Sequence, residues 1–492
     1  MDFKDSLFSR ISSIFTKENT DFKEVYLVGG SIRDYLLGKE NFDLDFVMPN
    51  HAIKAAKLIA DAFNGDFYVL DGERGTARAI IETDSKKKYI DFAKFNGQSI
   101  FEDLENRDFT INSLAIDISK PDKIIDLLSG KKHLEQKLLY PCSKKSFIND
   151  PVRILRAIRF LGTLDLRISE SVFDSIREAS ILLPKVSNER IRDELFRILS
   201  DTNVAESLHR LVSFDVFDKI FPELFWLQEE QIENSNIAET FKPKFETVSY
   251  VSRIINQFSK EPNTISDEVF FLSETEFKNI KPHLLEYFYN PIHPTRGIKE
   301  LIIVSALFHN PGRKNDESII KTEADKHPEK TEQNAKCARK WGMRMALSKA
   351  EIDFISRVVD NRYKGVERID PERADSREEI YKFYKATGKT GATQCFIHLA
   401  NMLATYEGTV PPKVWKQELK SVRLLLEAWF LHKGEFIDPP RIISGIELIN
   451  VLKIERGPRV GELLEKIRVA QVKGKIDTKQ QALEYCRELI KA

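Results

Sequence analysis

Apolar positions along this chain follow one rhythm up to about residue 140 and another after residue 150. In the first part, short apolar runs stand between turn-forming residues. Residues 25–28 end at Gly29 and Gly30, residues 42–48 alternate, and residues 67–70, 77–82, 89–95, 111–118 and 124–128 repeat the pattern. Runs of this length with period two predict strands. Between them, residues 31–37, capped by Ser31 and stopped by Gly38, and residues 51–63 have the spacing of helices. The opening MDFKDSLFSRISSIF alternates charge with apolar residues, which predicts an amphipathic first helix and lacks the apolar centre of a secretory signal. After Asp150 the period becomes helical. Residues 151–163, 169–183 and 188–200 predict helices, and further helices joined by Pro- or Gly-containing turns run to residue 492. Residues 314–333 are polar and highly charged and read as a solvated loop. The pattern predicts a unit of mixed strands and helices ending near residue 140, followed by a helical part from about residue 150 on.

The totals change this picture little. A chain of 492 residues exceeds the roughly 250–300 that one core supports, so two or more domains are expected. No apolar run reaches the ~20 residues of a membrane span, and no membrane partner is expected. Lys plus Arg equals Asp plus Glu at 76 each, so any polyanion must be met by a local patch. Cys142, Cys337, Cys395 and Cys486 lie far apart with no CxxC pair. That spacing argues against a zinc site or a disulfide framework and for reduced thiols in a cytoplasmic protein.

The chemistry concentrates at Gly29-Gly30-Ser31-Ile32-Arg33-Asp34, followed by Asp43-Leu44-Asp45. Carboxylates at i and i+2 on a strand share a face, and like charges that close need a cation or a proton between them. Paired oxygen ligands suit Mg²⁺, which takes one or two carboxylates plus substrate phosphates. Glycines let backbone approach a ligand, and a helix start favours phosphate. A plainer reading stands beside this one. A Gly-Gly turn is often only a turn, and an Asp-x-Asp is often a solvated strand. Arg33 and Asp34 have their own alternative, an ion pair within one helical turn.

GGSIRDYLLG followed by DLD closely resembles the first signature of the class II tRNA nucleotidyltransferase and bacterial poly(A) polymerase family, within the polymerase-beta superfamily. Residues 107–115 (RDFTINSLA), 126–130, 149–157 (NDPVRILRA) and 189–195 (ERIRDEL) resemble its later motifs, in the family order. The resemblance implies an α+β, polymerase-beta-like head over 1–140, a base-selecting helical neck over 141–200, and a helical body and tail over 201–492 that bind tRNA. Asp43 and Asp45 would hold two Mg²⁺ ions, with Asp91 as a third carboxylate. Gly29, Gly30, Ser31 and Arg33 would hold the triphosphate. Arg107, Asp108 and Asn112 would face the ribose. Asp150 and Arg153 would read the base, supported by Asn149, Arg156, Arg159 and Arg190. The implied reaction is template-independent addition to the tRNA 3′ end from CTP, with ATP as a further substrate.

Asp150 keeps a second reading, because Asp before Pro is also a good helix cap. Asn149 stands where the family carries Glu, and His133 and Tyr140 stand where its hinge motif carries Asp and Arg. Residues 95–104 run almost directly into the second motif, without the long flexible loop of full CCA-adding relatives. That shortening implies addition of CC, with a separate A-adding enzyme acting on the same tRNA. Residues 306–312 (ALFHNPG) resemble an eroded HD phosphohydrolase motif within a degenerate region at about 295–365, where Asn310 replaces the metal-binding Asp. Asp360-Asn361-Arg362 falls where a later His is expected, and His327 is isolated, so a structural remnant is predicted. The basic stretches 413–423 and 466–475 are predicted to grip the tRNA acceptor arm or to be solvated helix faces. The rivals are a full CCA-adding enzyme or a poly(A) polymerase on the same scaffold, a non-catalytic RNA-binding protein and an HD-type hydrolase.

Overall fold

A computed structural model describes residues 7–17, 22, 24–39, 43–83, 86–226, 237–258, 273, 275–293, 296–309, 328–360, 366 and 377–491. Two compact units emerge, one of residues 1–190 with 214–216, the other of residues 191–213 with 217–492.

The first unit is built on a mixed sheet. Its strands are β1 (Tyr26–Val28), β2 (Asp43–Met48), β3 (Asp66–Asp71), β4 (Thr76–Thr83), β5 (Lys86–Lys94), β6 (Leu114–Asp117) and β7 (Ile124–Asp126). They lie in the order β3-β4-β5-β2-β1-β6-β7. β2 and β5 run parallel and every other pairing is antiparallel. The alternation decides what faces where. Leu44, Phe46, Met48, Ala77, Ala79, Ile81, Ile90 and Phe92 point to one side, where α1 (Leu7–Lys17) and α3 (Ala52–Ala62) bring Phe8, Ile11, Phe15, Ala55, Ala56 and Ile59. Phe46 stacks between Phe8 and Phe92, with ring centroids 6.3 and 5.3 Å apart. The opposite face is only partly covered. Val28, Val47 and Ala115 pack there against Ile100 and Leu104 of α4 (Ile100–Glu105) and Phe95 beside it. The positions toward β3 on that face carry Asp43, Asp45, Arg78, Tyr89 and Asp91.

The predicted strands and helices of this unit form with small shifts of their ends. α4 was not predicted; Ser99 caps it, accepting from the Glu102 N–H at 3.4 Å. Residues 110–112 form a 3₁₀ turn before β6 rather than extending the strand. α2 (Gly30–Leu36) starts one residue earlier than expected. Its cap position is Gly29, and Ser31, within the first turn, donates instead to the Val28 carbonyl at 3.3 Å. α7 (Arg153–Thr163) begins after Val152, so Asp150 and Arg153 do not share a helix, and Asp150 supplies no side-chain cap. α5 (Gly130–Glu135), α6 (Ser146–Asn149), α8 (Glu170–Ser180) and the start of α9 (Asn188–Leu199) complete the unit.

The second unit is helical around large aromatic residues. Trp341 is fully buried against Phe221 at 5.4 Å and donates its indole N–H to the Ile220 carbonyl. The ion pair Arg296–Glu351 is also buried, at 2.6 Å. His309 lies inside this core, its ring against the Asn401 amide at 3.2 Å and its carbonyl accepting from the buried Lys244. That is the setting of a structural histidine. Asn310, His327, Asn361 and Arg362 lie outside the described residues. The loop predicted over 314–333 is helical from Pro328, where the helix Pro328–Arg344 begins. The last three helices, Gly445–Leu452, Pro458–Val472 and Lys479–Lys491, close over Leu448, Leu463, Ile467, Ala482 and Cys486. Among the described residues no helix is long and apolar enough to cross a membrane. The four cysteines are free thiols.

Candidate active site

Gly29 sits at the hinge between β1 and α2 with φ +80° and ψ −138°, a region that side chains rarely enter. A Cβ there would lie 3.1 Å from Arg107 Nη1 and 3.6 Å from Asp45 Oδ2. The glycine turn, Arg107 and Asp45 therefore meet at one point. Arg107 is steadied by Asp103, which accepts from its Nε at 3.0 Å. Sequence reasoning assigned Arg107 to the ribose; the structure places it beside the Asp45 carboxylate.

Register brings three carboxylates to the uncovered face. Asp45 pairs with Asp91 across the parallel strands, and Asp43 with Tyr89. Asp91 has both oxygens engaged by Arg78, at 2.7 and 2.8 Å. Burial pushes the Asp45 carboxyl up to about 6, and the negative charges of Asp91 and Asp43 add to this against the opposing pull of Arg107 and Arg78. The side chain still opens to solvent at one edge. Negative charge is thus held in excess at a pair of hard oxygen ligands, which is the donor set Mg²⁺ takes. Among the described residues no three His, Cys, Asp or Glu side chains are arranged to hold a metal. Asp43 and Asp45 would be the protein ligands, with substrate oxygens completing the shell.

The sign of the Asp45 shift has a consequence for stability. Its folded value lies above the 3.8 of the free group, so the folded state binds the extra proton between those values. The ionised carboxylate then penalises the fold, partly above 3.8 and fully above about 6. Asp45→Asn is expected to raise the melting temperature by a few degrees at pH 8 in chelator, with the gain shrinking toward pH 5. Calorimetry checks this, and equal melting temperatures at both pH values would contradict the excess of charge.

The remaining predicted residues fall into two groups. In the first, Arg33 donates to Asp34 at 2.8 Å and to Asn112 Oδ1 at 2.7 Å, and Asn112 donates to Asp108 at 3.1 Å. Asp108 also accepts from the Phe109 N–H at 2.7 Å and from Arg156 at 2.8 Å. The guanidinium carbons of Arg33, Arg156 and Arg159 lie 5.3, 5.6 and 4.4 Å from the centroid of the Phe160 ring. Burial opposes ionisation of Asp108, yet Arg156, Asn112 and the Phe109 amide together hold its carboxyl below the usual range. Gly30 lies against Arg33.

In the second group, Arg153 donates to the Arg107 carbonyl at 3.1 Å, the Asn106 carbonyl at 2.7 Å and Ser146 Oγ at 2.8 Å. It lies 3.9 Å from Asp150. Asp150 accepts from Arg190 at 2.7 Å through Oδ2, and its Oδ1 is buried with no hydrogen-bond partner among the described residues. Asn149 is exposed at the end of α6. The hinge departures compensate each other, since His133 and Tyr140 stack at 5.3 Å and His133 Nδ1 meets Thr110 Oγ1 at 2.9 Å. Sequence reasoning missed Arg78, Asp103, Ser146 and Phe160.

Comparison with known proteins accords with this arrangement. Residues 25–140 match the poly A polymerase head domain family, and residues 165–227 match a family described as a probable RNA- and SrmB-binding site of polymerase A. A protein of Geobacter sulfurreducens named CC-adding tRNA nucleotidyltransferase is 40% identical over 174 residues, 35% of this chain and 40% of that protein. Another of that name, from Synechocystis, is 24% identical over 469 residues, 95% of this chain and 94% of that protein. The family matches thus cover the sheet-bearing head and a helical segment beyond it, together less than half of the chain. The fold agrees along the chain. A Thermotoga maritima CCA-adding enzyme solved in complex with tRNA superposes with TM-score 0.58 at 22% identity, covering 98% of this chain and 95% of the other. An α+β head followed by a helical remainder is thus the architecture shared with that structure. The chain matches less than half the length of the Geobacter protein.

Proposed function

We propose that this protein adds nucleotides to the 3′ end of tRNA without a template, and that it stops after two cytidines. One observation carries the chemistry: the Asp43–Asp45 carboxylates, over-concentrated in charge, stand beside the Gly29 turn and the Arg107 guanidinium. Two Mg²⁺ ions held there would activate the RNA 3′-hydroxyl and stabilise departing pyrophosphate. The protein's own groups do the rest. Gly29 and Gly30 admit the triphosphate to the backbone, with Ser31 fixing the turn beneath it. Arg107 and Arg33 offer cationic donors to phosphate oxygens. Asp108 and Asn112, locked by Arg156, present an acceptor and an amide toward the ribose. Asp150 Oδ1 is an acceptor suited to an exocyclic amino group of the base, and Arg153 ties the start of α7 to the backbone at Asn106 and Arg107. Asp91 acts through Arg78, which engages both its oxygens.

The restriction to CC is supported by the short path from β5 to Arg107, which α4 fills, and by the names of the relatives above. For tRNA, Lys413, Lys416 and Lys420 stand exposed along the helix Pro412–Phe430 and suit backbone phosphates. The second basic stretch is less available, since Lys473 pairs with Glu378 and Arg468 bonds the Pro439 carbonyl. The test is to supply tRNA lacking CCA, tRNA ending in CC and a generic oligoribonucleotide, each with CTP or ATP and Mg²⁺. Two cytidines on the first substrate alone are expected. Efficient terminal adenylation by the pure protein would overturn the CC restriction, and a long A tail on the third substrate would mark a poly(A) polymerase.

A further inference from the structure

The uncovered half of the sheet carries more than carboxylates. Following the register outward from Asp45 gives Asp91 on β5, Arg78 on β4 and Tyr68 on edge strand β3, all directly paired and so on one face. Tyr89, two residues before Asp91, joins them, paired with Asp43. The two tyrosines and the arginine form a graded surface. Tyr68 is 54% exposed and Tyr89 39%. The Arg78 guanidinium lies 5.3 Å from the centroid of the Tyr89 ring while donating to both Asp91 oxygens through Nε and Nη2. A core face would have been covered; here the helices lie on the other side, and α4 stops over the β1–β2 region.

We propose that this row is the seat of the RNA 3′ strand, with its last unpaired bases stacking on Tyr89 and Tyr68 and its backbone passing Arg78. This deepens the reading given above and rests on it. The occupant follows from position and chemistry together. The row runs without a break from the Asp43–Asp45 pair, where the attacking 3′-hydroxyl must arrive. Exposed aromatic rings interleaved with a guanidinium are the standard means of holding single-stranded nucleic acid regardless of sequence. Across three strand spacings, Tyr68 lies ~14 Å from the Asp45 strand, a distance spanned by the last few nucleotides of a strand. The row also gives Arg78 a positioning role. By engaging both Asp91 oxygens it fixes that carboxylate beside the Asp45 side chain, whose own charge it partly offsets.

The test uses the full-length protein and a short labelled oligoribonucleotide ending in unpaired residues, with binding followed by fluorescence anisotropy and no nucleotide present. Tyr68→Ala and Tyr89→Ala are each expected to weaken binding at least about fivefold, the lower range of one lost base stack, and Tyr68→Phe to recover most of it. In turnover assays the alanine variants should raise KM for RNA while leaving KM for CTP in place. Unchanged RNA affinity in both alanine variants, with circular dichroism confirming the fold, would overturn the row while leaving nucleotide addition standing. Failure of the wild type to bind the oligoribonucleotide at all would likewise overturn the row, while nucleotide addition is decided separately by the assay on tRNA lacking CCA. A rise in KM for CTP in place of the RNA effect would reassign the face to the nucleotide and sink the proposal.

Discussion

Asp43→Ala is expected to lower nucleotide addition about a thousandfold or more, with the fold intact. The argument begins with the register. Asp43 and Asp45 alternate with the buried Leu44, so both reach the uncovered face. A divalent ion there stabilises charge on the attacking and leaving oxygens, an effect of several kcal/mol, and each ~1.4 kcal/mol removed costs a factor of ten in rate. Asp45→Ala should be at least as damaging, since Asp45 lies against both the glycine turn and Arg107. Neither change opens a core cavity, because both positions are solvent-facing. A single-turnover assay with saturating CTP and Mg²⁺ measures the effect. Turnover within tenfold of the wild type in Asp43→Ala would remove the metal assignment.

Much of this site is written locally in the chain. The Gly-Gly turn, the Asp-x-Asp alternation and the strand that bears them all lie within residues 25–48, where spacing alone fixes which side chains share a face. Arg33 and Asp34 were legible in both their readings, and the structure shows the ion pair together with a bond to Asn112. What escaped the sequence depends on pairing between distant strands. Arg78 looks like any charged residue in an alternating strand; only the β4–β5 register sets it on Asp91. Arg107 sits in a recognisable motif, but its approach to Asp45 depends on α4, a short helix whose apolar residues Ile100 and Leu104 gave too brief a pattern to read. Asp150 and Arg153 had the right separation for one helical face, yet Pro151 and Val152 form a turn and the helix starts later.

The helical half shows the opposite balance. Its helical character was readable from periodicity, without the bounds of single helices past residue 200, while the meaning of single polar residues was not. His309 lay in an apolar run followed by Asn310 and predicted a remnant of a metal site. Its burial against Asn401 and Lys244 gives it a packing role that no local pattern could supply. The buried pair Arg296–Glu351 spans more than fifty residues and belongs to the same class of long-range partnership. Charge equality over the whole chain likewise concealed the local distribution, with exposed lysines along one helix and arginines gathered round Phe160.

Asp108→Ala should cause the largest loss of stability among the site residues, about 3–5 kcal/mol, confined to the first unit. Asp108 is the acceptor on which Arg156, Asn112 and the Phe109 N–H converge. Removing it leaves a largely buried guanidinium and a buried amide without their acceptor, and breaking such a pair from one side costs that much. Asp108→Asn keeps an acceptor for the Phe109 N–H but loses the charge, so an intermediate loss is expected. The pH dependence follows from the depressed carboxyl. Its stabilisation is complete above the unfolded value, near 3.9 for a free aspartate, and is lost as pH falls through the lower folded value. The wild type should therefore lose more stability than Asp108→Asn in that acid range. All four tryptophans, Trp226, Trp341, Trp415 and Trp429, lie in the second unit. Their fluorescence serves as an internal control, while hydrogen exchange of the β1, β2 and β6 amides reports the first unit. Slow exchange of those amides in Asp108→Ala, equal to the wild type at pH 7, would show that the network does not hold the head together.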